Sequence, residues 1–304
     1  MDAWRFAIVS DIHIGTQRSF RFQAAWNANW QTVRQQIIDQ QPEFLLVCGD
    51  MTRDGLYHRF ELEQSKADLD ALPFPYYAVP GNHDAGNKFS DADSSISAET
   101  VALYQSVFGT SNYSICHKNI RISVFNSLLA GSGLAEEGAM WSWLDSQVPD
   151  LESDHHLWMT HAPIYLDYFS EANKDPNDHA WYFSIDEPHR SRIFNALKAS
   201  AADILFSGHI HDRRQTEHDG ILFQSCPSSA FQAAFDYDGE HSSELGFMML
   251  TVTKESCKSE FIPLAETSTL TSYGPGGNPP KALRDYSIAQ EKPALDPVEQ
   301  RRPE

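Results

Sequence analysis

The chain has 304 residues, 41% of them hydrophobic and 21% charged, a balance that fills a sizeable core and excludes disorder over most of its length. Asp and Glu number 42 against 23 Lys and Arg, a formal net charge of -19. With no Lys/Arg-rich run in the chain, such a field repels polyanions and argues against a large nucleic acid as partner.

Short apolar runs alternate with longer amphipathic segments, the pattern of βαβ units. The first run predicts a strand over residues 5–10 and is too short for a signal-peptide core. A helix follows, in which Phe22, Trp26, Trp30, Val33 and Ile37 form one apolar stripe, while Asn27, Gln31, Arg34 and Gln35 fall largely off it. Further strands are predicted at 44–48, 76–79, 120–125, 156–160, 204–207, 221–225 and 246–253, and helices at 58–72, 98–108, 140–148 and 188–200. No window approaches about 18 uninterrupted apolar residues, so no transmembrane helix is expected. Cys48, Cys116, Cys226 and Cys257 form no CxxC pair and read as reduced, structural thiols of a cytoplasmic protein. Two polar loops containing aromatic residues, 85–97 and 166–187, are placed to overhang a site. Beyond residue 265 the composition shifts to Gly274-Pro275-Gly276-Gly277-Asn278-Pro279-Pro280 and a polar tail. The expected organisation is one domain over 1–265 and a tail over 266–304 that drapes over it or is disordered.

Five segments carry the chemistry: Asp11-Ile12-His13, Gly49-Asp50, Gly81-Asn82-His83-Asp84, Thr160-His161-Ala162-Pro163 and Gly208-His209-Ile210-His211. Each lies at the C-terminal end of a predicted strand, where ligand sites of open α/β sheets form. In Asp11-x-His13 and His209-x-His211 an extended backbone would send both partners to one side. Gly49, Gly81 and Gly208 permit positive φ and a close backbone approach to a bound ion. Carboxylate, imidazole and amide oxygen together suit manganese, iron or zinc rather than a thiolate-preferring metal. A lone DxH or GD at a strand end is ordinarily capping or turn chemistry; five such segments in this order are not.

These motifs, DxH, GD, GNHD, H and GHxH, resemble those of the calcineurin-like metallophosphoesterases over residues 5 to about 253, most closely the bacterial branch with class III cyclic-nucleotide phosphodiesterases. The resemblance implies a four-layer α/β/β/α sandwich and a dinuclear metal centre that hydrolyses a small phosphodiester or phosphomonoester through a bridging hydroxide. It implies that Asp11, His13 and His211 bind one metal, that Asn82, His161 and His209 bind the other, and that Asp50 bridges both. His83 would serve the leaving-group oxygen, with Asp84 as its orienting partner. Two departures disfavour particular subfamilies. Purple acid phosphatases place a tyrosine where Arg53 stands, and Ser/Thr protein phosphatases read GDxxDRG and GNHE, against Gly49-Asp50-Met51-Thr52-Arg53-Asp54-Gly55 and Asp84 here.

Two dications, two carboxylates and a hydroxide leave about one net positive charge, so a small phosphorylated substrate is compatible with the acidic chain. Arg53 either contacts phosphate or pairs with Asp54 or another acid. The run Trp181-Tyr182-Phe183, beside His179, either stacks on substrate or pins its loop. The remaining histidines, His155 and His156 among them, read as surface or packing residues. A nuclease and a catalytically silent scaffold on the same fold are the alternatives; the net charge of -19 counts against the first, and the complete ligand set against the second. Oligomeric state does not follow from the sequence.

Overall fold

The computed structural model describes residues 3–15, 26–88, 95–165, 182–232 and 242–268. Its first sheet has the order β11-β10-β1-β2-β3, built from β1 (Trp4–Val9), β2 (Leu45–Val47), β3 (Tyr76–Ala78), β10 (Gly246–Val252) and β11 (Cys257–Pro263). Strands β1, β2 and β3 run parallel, whereas β10 is antiparallel to both β1 and β11. The second sheet has the order β4-β5-β6-β7-β9-β8, from β4 (Tyr113–His117), β5 (Ile120–Val124), β6 (His155–Met159), β7 (Ile204–Ser207), β8 (Arg214–His218) and β9 (Ile221–Ser225). Here β5, β6, β7 and β9 are parallel, and the antiparallel β4 and β8 close the two edges.

The alternation of side chains along β1 shows how the layers stack. Phe6 and Ile8 point into a core shared with Ile122, Val124, Leu157, Met159 and Phe206 of the second sheet. Ala7 and Val9 point the other way, onto Trp30, Val33 and Ile37 of α1 (Asn27–Gln40) and onto Leu62 of α2 (Arg59–Asp70) and Leu103 of α4 (Ala98–Phe108). The outer face of the second sheet is covered in the same way by Met140 and Leu144 of α5 (Ala135–Asp145) and by Ile193 and Leu197 of α6 (His189–Ala199). The result is the expected α/β/β/α sandwich. Each large apolar side chain so buried contributes about 1.5–3 kcal/mol, and Trp30, Trp158 and Phe206 are all fully enclosed.

All eight predicted strands form within a residue or two of their expected bounds. Three further strands, β4, β8 and β11, escape the apolar-run reading because they lie at sheet edges and carry alternating exposed and half-buried residues. The first helix begins at Asn27, so only Trp30, Val33 and Ile37 of the stripe lie on it; Phe22 lies outside the described residues. Helix α5 starts five residues earlier than expected, at Ala135. Its Glu137 accepts hydrogen bonds from Gly131 N (2.7 Å) and Gly133 N (2.7 Å), tying the preceding turn to the helix. The last described strand ends at Pro263, and almost all of the predicted tail, like most of the loop 166–187 with His179 and Trp181, lies outside the described residues.

Candidate metal centre

Five strands end on one edge of the sandwich, and the residue types follow from those ends. Asp11 and His13 follow β1, Asp50 follows β2, Asn82 opens the short α3 (Asn82–Ala85) after β3, His161 follows β6, and His209 and His211 follow β7. The β1 and β2 ends are zipped together by the backbone: Asp11 N donates to Gly49 O (3.1 Å), His13 N to Asp50 O (2.9 Å) and Ile14 N to Met51 O (2.9 Å). These turns are not extended. Asp11, His13, Asp50, His209 and His211 all have φ between 50° and 73°, which corrects the expectation that extended backbone aims the paired side chains. They converge through left-handed turns instead. The glycines are needed for proximity: a Cβ on Gly81 would lie 2.0 Å from Asp50 Oδ1, and one on Gly208 1.9 Å from Ser10 Oγ.

Two buried clusters result. Asp11, His13, Asp50 and His211 bring ligand atoms within 4.8 Å of one another, and Asp50, His161 and His209 do the same. Asp50 belongs to both. Asn82 joins the second cluster, with Oδ1 3.2 Å from His161 Nε2. Hydrogen bonds to backbone carbonyls decide which ring nitrogen faces inward. His161 Nδ1 donates to Cys48 O (2.7 Å), and His211 Nδ1 donates to Phe231 O (2.8 Å), which turns both Nε2 atoms toward the clusters. His209 is turned the other way: Nε2 donates to Tyr182 O (2.9 Å), and Nδ1 is left free. This is the usual outer-shell support of metal-ligating histidines.

The inward nitrogens face the carboxylates. His161 Nε2 lies 3.4 Å from Asp50 Oδ1, and His211 Nε2 lies 3.3 Å from Asp11 Oδ1 and 3.0 Å from His13 Nε2. The Asp/His/Asn donor set gathered in these buried surroundings fits one cation in each cluster. The same field acts on protons. Burial opposes charge on His161, but the Asp50 carboxylate outweighs it and holds the imidazole up at about 9. Burial, then His161, pushes His209 down to about 3.

His83, Arg53 and Asp84 lie beside the first cluster. The His83 ring sits edge-on to that of His13, with centroids 4.8 Å apart, while its backbone N donates to Asp50 Oδ1 (2.8 Å). Nδ1 lies 2.7 Å from Arg53 O and 2.5 Å from Arg53 Nη1, and Nε2 lies 3.1 Å from that same Nη1. Burial, then the Arg53 guanidinium, lowers His83 to about 4. Asp84 does not orient His83, contrary to expectation. Its Oδ1 accepts from Thr52 N (2.9 Å) and Thr52 Oγ1 (2.7 Å), and its Oδ2 from Met51 N (3.1 Å) and Gly81 N (2.9 Å). Four donors of the neighbouring turns capture the carboxylate, which staples the Asp50 turn to α3, and the Arg53 carbonyl takes over the orientation of His83.

Three aromatic residues complete the walls. Phe231 stacks on His13 at 4.8 Å and lies 4.7 Å from His211. Trp26 Nε1 donates to His13 O. Tyr182 packs on His209 at 4.9 Å. The sequence reading placed Tyr182 in an aromatic run over the site but assigned nothing to Phe231 or to Trp26 beyond the helix stripe; an isolated aromatic carries no local signal of its partner. His155 donates to Thr253 O, and His156 is buried between Ser123 and Ser200, so both are packing residues.

A family model described as calcineurin-like phosphoesterase matches residues 5–213, which contain all seven candidate ligands. Serine/threonine-protein phosphatase CPPED1 of Danio rerio is 25% identical over 237 residues, spanning 73% of this chain and 69% of that protein. Glycerophosphodiester phosphodiesterase GpdQ of Enterobacter lignolyticus is 23% identical over 202 residues, spanning 66% of each. Purple acid phosphatase PPD1 from yellow lupin (Lupinus luteus) seeds superposes with a TM-score of 0.66 at 17% identity, covering 88% of this chain and 52% of that one, a likeness of fold alone. Among the described residues no helix is long and apolar enough to cross a membrane.

Proposed function

The chain belongs to the calcineurin-like phosphoesterase family, and from that premise we propose that its domain over residues 1–265 hydrolyses a small phosphodiester or phosphomonoester with two bound metal ions. The observation that carries the reading is Asp50, a buried carboxylate shared by two clusters, with His13 Nε2 at 3.6 Å on one side and His161 Nε2 at 3.4 Å on the other. Asp11, His13 and His211 would hold one ion, and Asn82, His161 and His209 the other. Asp/His/Asn donors support manganese, iron or zinc. When bound, the ions supply positive charge against phosphate and lower the pKa of a water near neutrality.

The protein's own groups do the rest. The Cys48, Phe231 and Tyr182 carbonyls fix the tautomers of His161, His211 and His209. Arg53 and His83 form one polar unit beside the first cluster, with Arg53 Nη1 2.5 Å from His83 Nδ1 and 3.1 Å from Nε2. We assign His83 to proton transfer at the leaving oxygen and Arg53 to charge on the phosphate; Asp84 keeps a structural role. Four free thiols, Cys48, Cys116, Cys226 and Cys257, support a reducing compartment such as the cytoplasm.

The relatives named above are a protein phosphatase and a phosphodiesterase, so the substrate class is decided by assay. Chelator-stripped protein is offered bis(p-nitrophenyl) phosphate, p-nitrophenyl phosphate and a phosphoserine peptide, before and after Mn²⁺, with Asp50→Ala as control. Metal-dependent release of p-nitrophenol, lost in the control, is expected. Release from the peptide alone would replace the small-ester reading with a protein-phosphatase one. No release and no bound metal would sink the hydrolase.

A further inference from the structure

The two clusters are not supported equally. In the first, Asp11 Oδ2 accepts from Ser10 Oγ (2.6 Å) and His209 N (3.1 Å), His13 is held through its own backbone, and only the His211 ring leans on a distant carbonyl. The supports of Asp11 and His13 come from the ends of sheet strands, whereas Phe231 follows the end of β9 by six residues. In the second, two ligands lean on one residue. The Tyr182 hydroxyl accepts from Asn82 Nδ2 (3.3 Å), and its backbone O accepts from His209 Nε2 (2.9 Å), while its ring lies 4.9 Å from that of His209.

Each contact selects an orientation. An amide whose NH2 is taken by the phenol turns its oxygen to the opposite side, here toward His161 Nε2 at 3.2 Å. An imidazole whose Nε2–H is taken by a carbonyl presents Nδ1. Without the phenol, the Asn82 amide can flip and aim its NH2 at the cluster, which opposes a cation instead of binding it.

We infer that Tyr182 is a positioning residue that sets the affinity of the second metal site by holding Asn82 and His209 with their ligand atoms inward. This rests on the two-metal reading above. Residues 182–183 follow His161 by about twenty positions on a separate segment, so occupancy of the second site is tied to the placement of that segment.

The test is equilibrium dialysis of stripped wild-type protein and of Tyr182→Phe against graded Mn²⁺, with bound metal read by atomic absorption. Tyr182→Phe keeps the ring and the carbonyl and removes only the phenol oxygen. Two binding steps are expected in the wild type, one of them moved roughly tenfold higher in the variant and the other unchanged, as for other outer-shell partners. Hydrolysis by the variant is expected to recover its full kcat at saturating Mn²⁺, whereas a substrate contact would leave a deficit that no metal restores. Two-step binding with unchanged midpoints in Tyr182→Phe overturns this inference alone. Fewer than two ions bound by the wild type overturns it together with the two-metal reading.

Discussion

Substituting Gly81 by alanine tests the proximity on which the shared carboxylate depends. The added Cβ would lie 2.0 Å from Asp50 Oδ1, 2.3 Å from Asp50 N and 2.7 Å from Asp50 Cγ. Two of these are the functional carboxylate and the third is backbone, so no flexible side chain can swing away. Relief to an ordinary 3.4 Å contact requires a displacement of roughly 1.4 Å from the oxygen, while His83 N holds that same oxygen at 2.8 Å. Overpacking of this kind costs about 1–3 kcal/mol, which for a domain of this size lowers Tm by about 5 °C. A shift of about 1 Å at the reacting centre costs on the order of 10²-fold in rate. The expected variant is therefore folded, a few degrees less stable, short of metal and at least about 100-fold less active on bis(p-nitrophenyl) phosphate. Gly138→Ala is the matched control: the glycine lies inside α5, its Cβ meets nothing within 4 Å, and about 0.5–1 kcal/mol of added stability is expected. Wild-type activity and metal content in Gly81→Ala would refute the assignment of Asp50 to both sites.

Three further outcomes follow from single side chains. His83→Ala should lower turnover by about 10²–10⁴-fold with metal content by atomic absorption unchanged; undiminished turnover removes its role. Asp84→Ala leaves the buried N–H groups of Met51, Thr52 and Gly81 without their acceptor, so thermal melts should show a loss of about 3 kcal/mol at about 1 kcal/mol for each, and an unchanged melt would refute the staple. Glu137→Gln should cost about 1–2 kcal/mol at pH 7, because the carboxylate accepts from Gly131 N, Gly133 N and Trp141 Nε1. Burial works against the Glu137 charge, but those donors outweigh it and hold the carboxyl below its ordinary 4.5. The stabilisation is thus complete above that value and lost as pH falls through the lower folded value. Melts at pH 7 and pH 4 should show the gap between wild type and variant narrowing; a constant gap would refute the sign.

Much of this molecule is legible in the chain because its strands are parallel and buried on both faces. Residues 204–206 and 44–48 read as uninterrupted apolar runs, since β7 packs between two layers and β2 lies inside its sheet between β1 and β3. The polar edge strands β4, β8 and β11 carry no such run; each pairs antiparallel with the strand beside it in the chain, β5, β9 and β10, and leaves one face to solvent. The ligand set was legible for a related reason: each member sits at the end of a run that was itself visible. Orientation was not. Whether Asp84 faces His83 or the Asp50 turn depends on where Met51 and Thr52 present their N–H groups. Likewise, Tyr182 and Phe231 act on His209 and His211 through carbonyl oxygens, which every residue type possesses and no motif can mark.

The turns themselves explain why these residue types can stand where they do. Five of the seven candidate ligands are non-glycine residues at φ 50°–73°, a conformation that costs on the order of 1–3 kcal/mol each for most side chains. Asp and His are among the few that tolerate it at the lower end. A ligand there must therefore both offer a lone pair and accept left-handed backbone, and Asp, Asn and His satisfy both demands where a glutamate satisfies only one. What remains of the strain is held by the zipped β1 and β2 turns, by Asp84 across Met51, Thr52 and Gly81, and by the sheet-on-sheet core beneath. Those turns persist because the strands that feed them cannot move. On this account the site is preorganised by the sandwich, and the two ligands that lean on a single residue away from the strand ends, Asn82 and His209 on Tyr182, are where its metal affinity can be tuned.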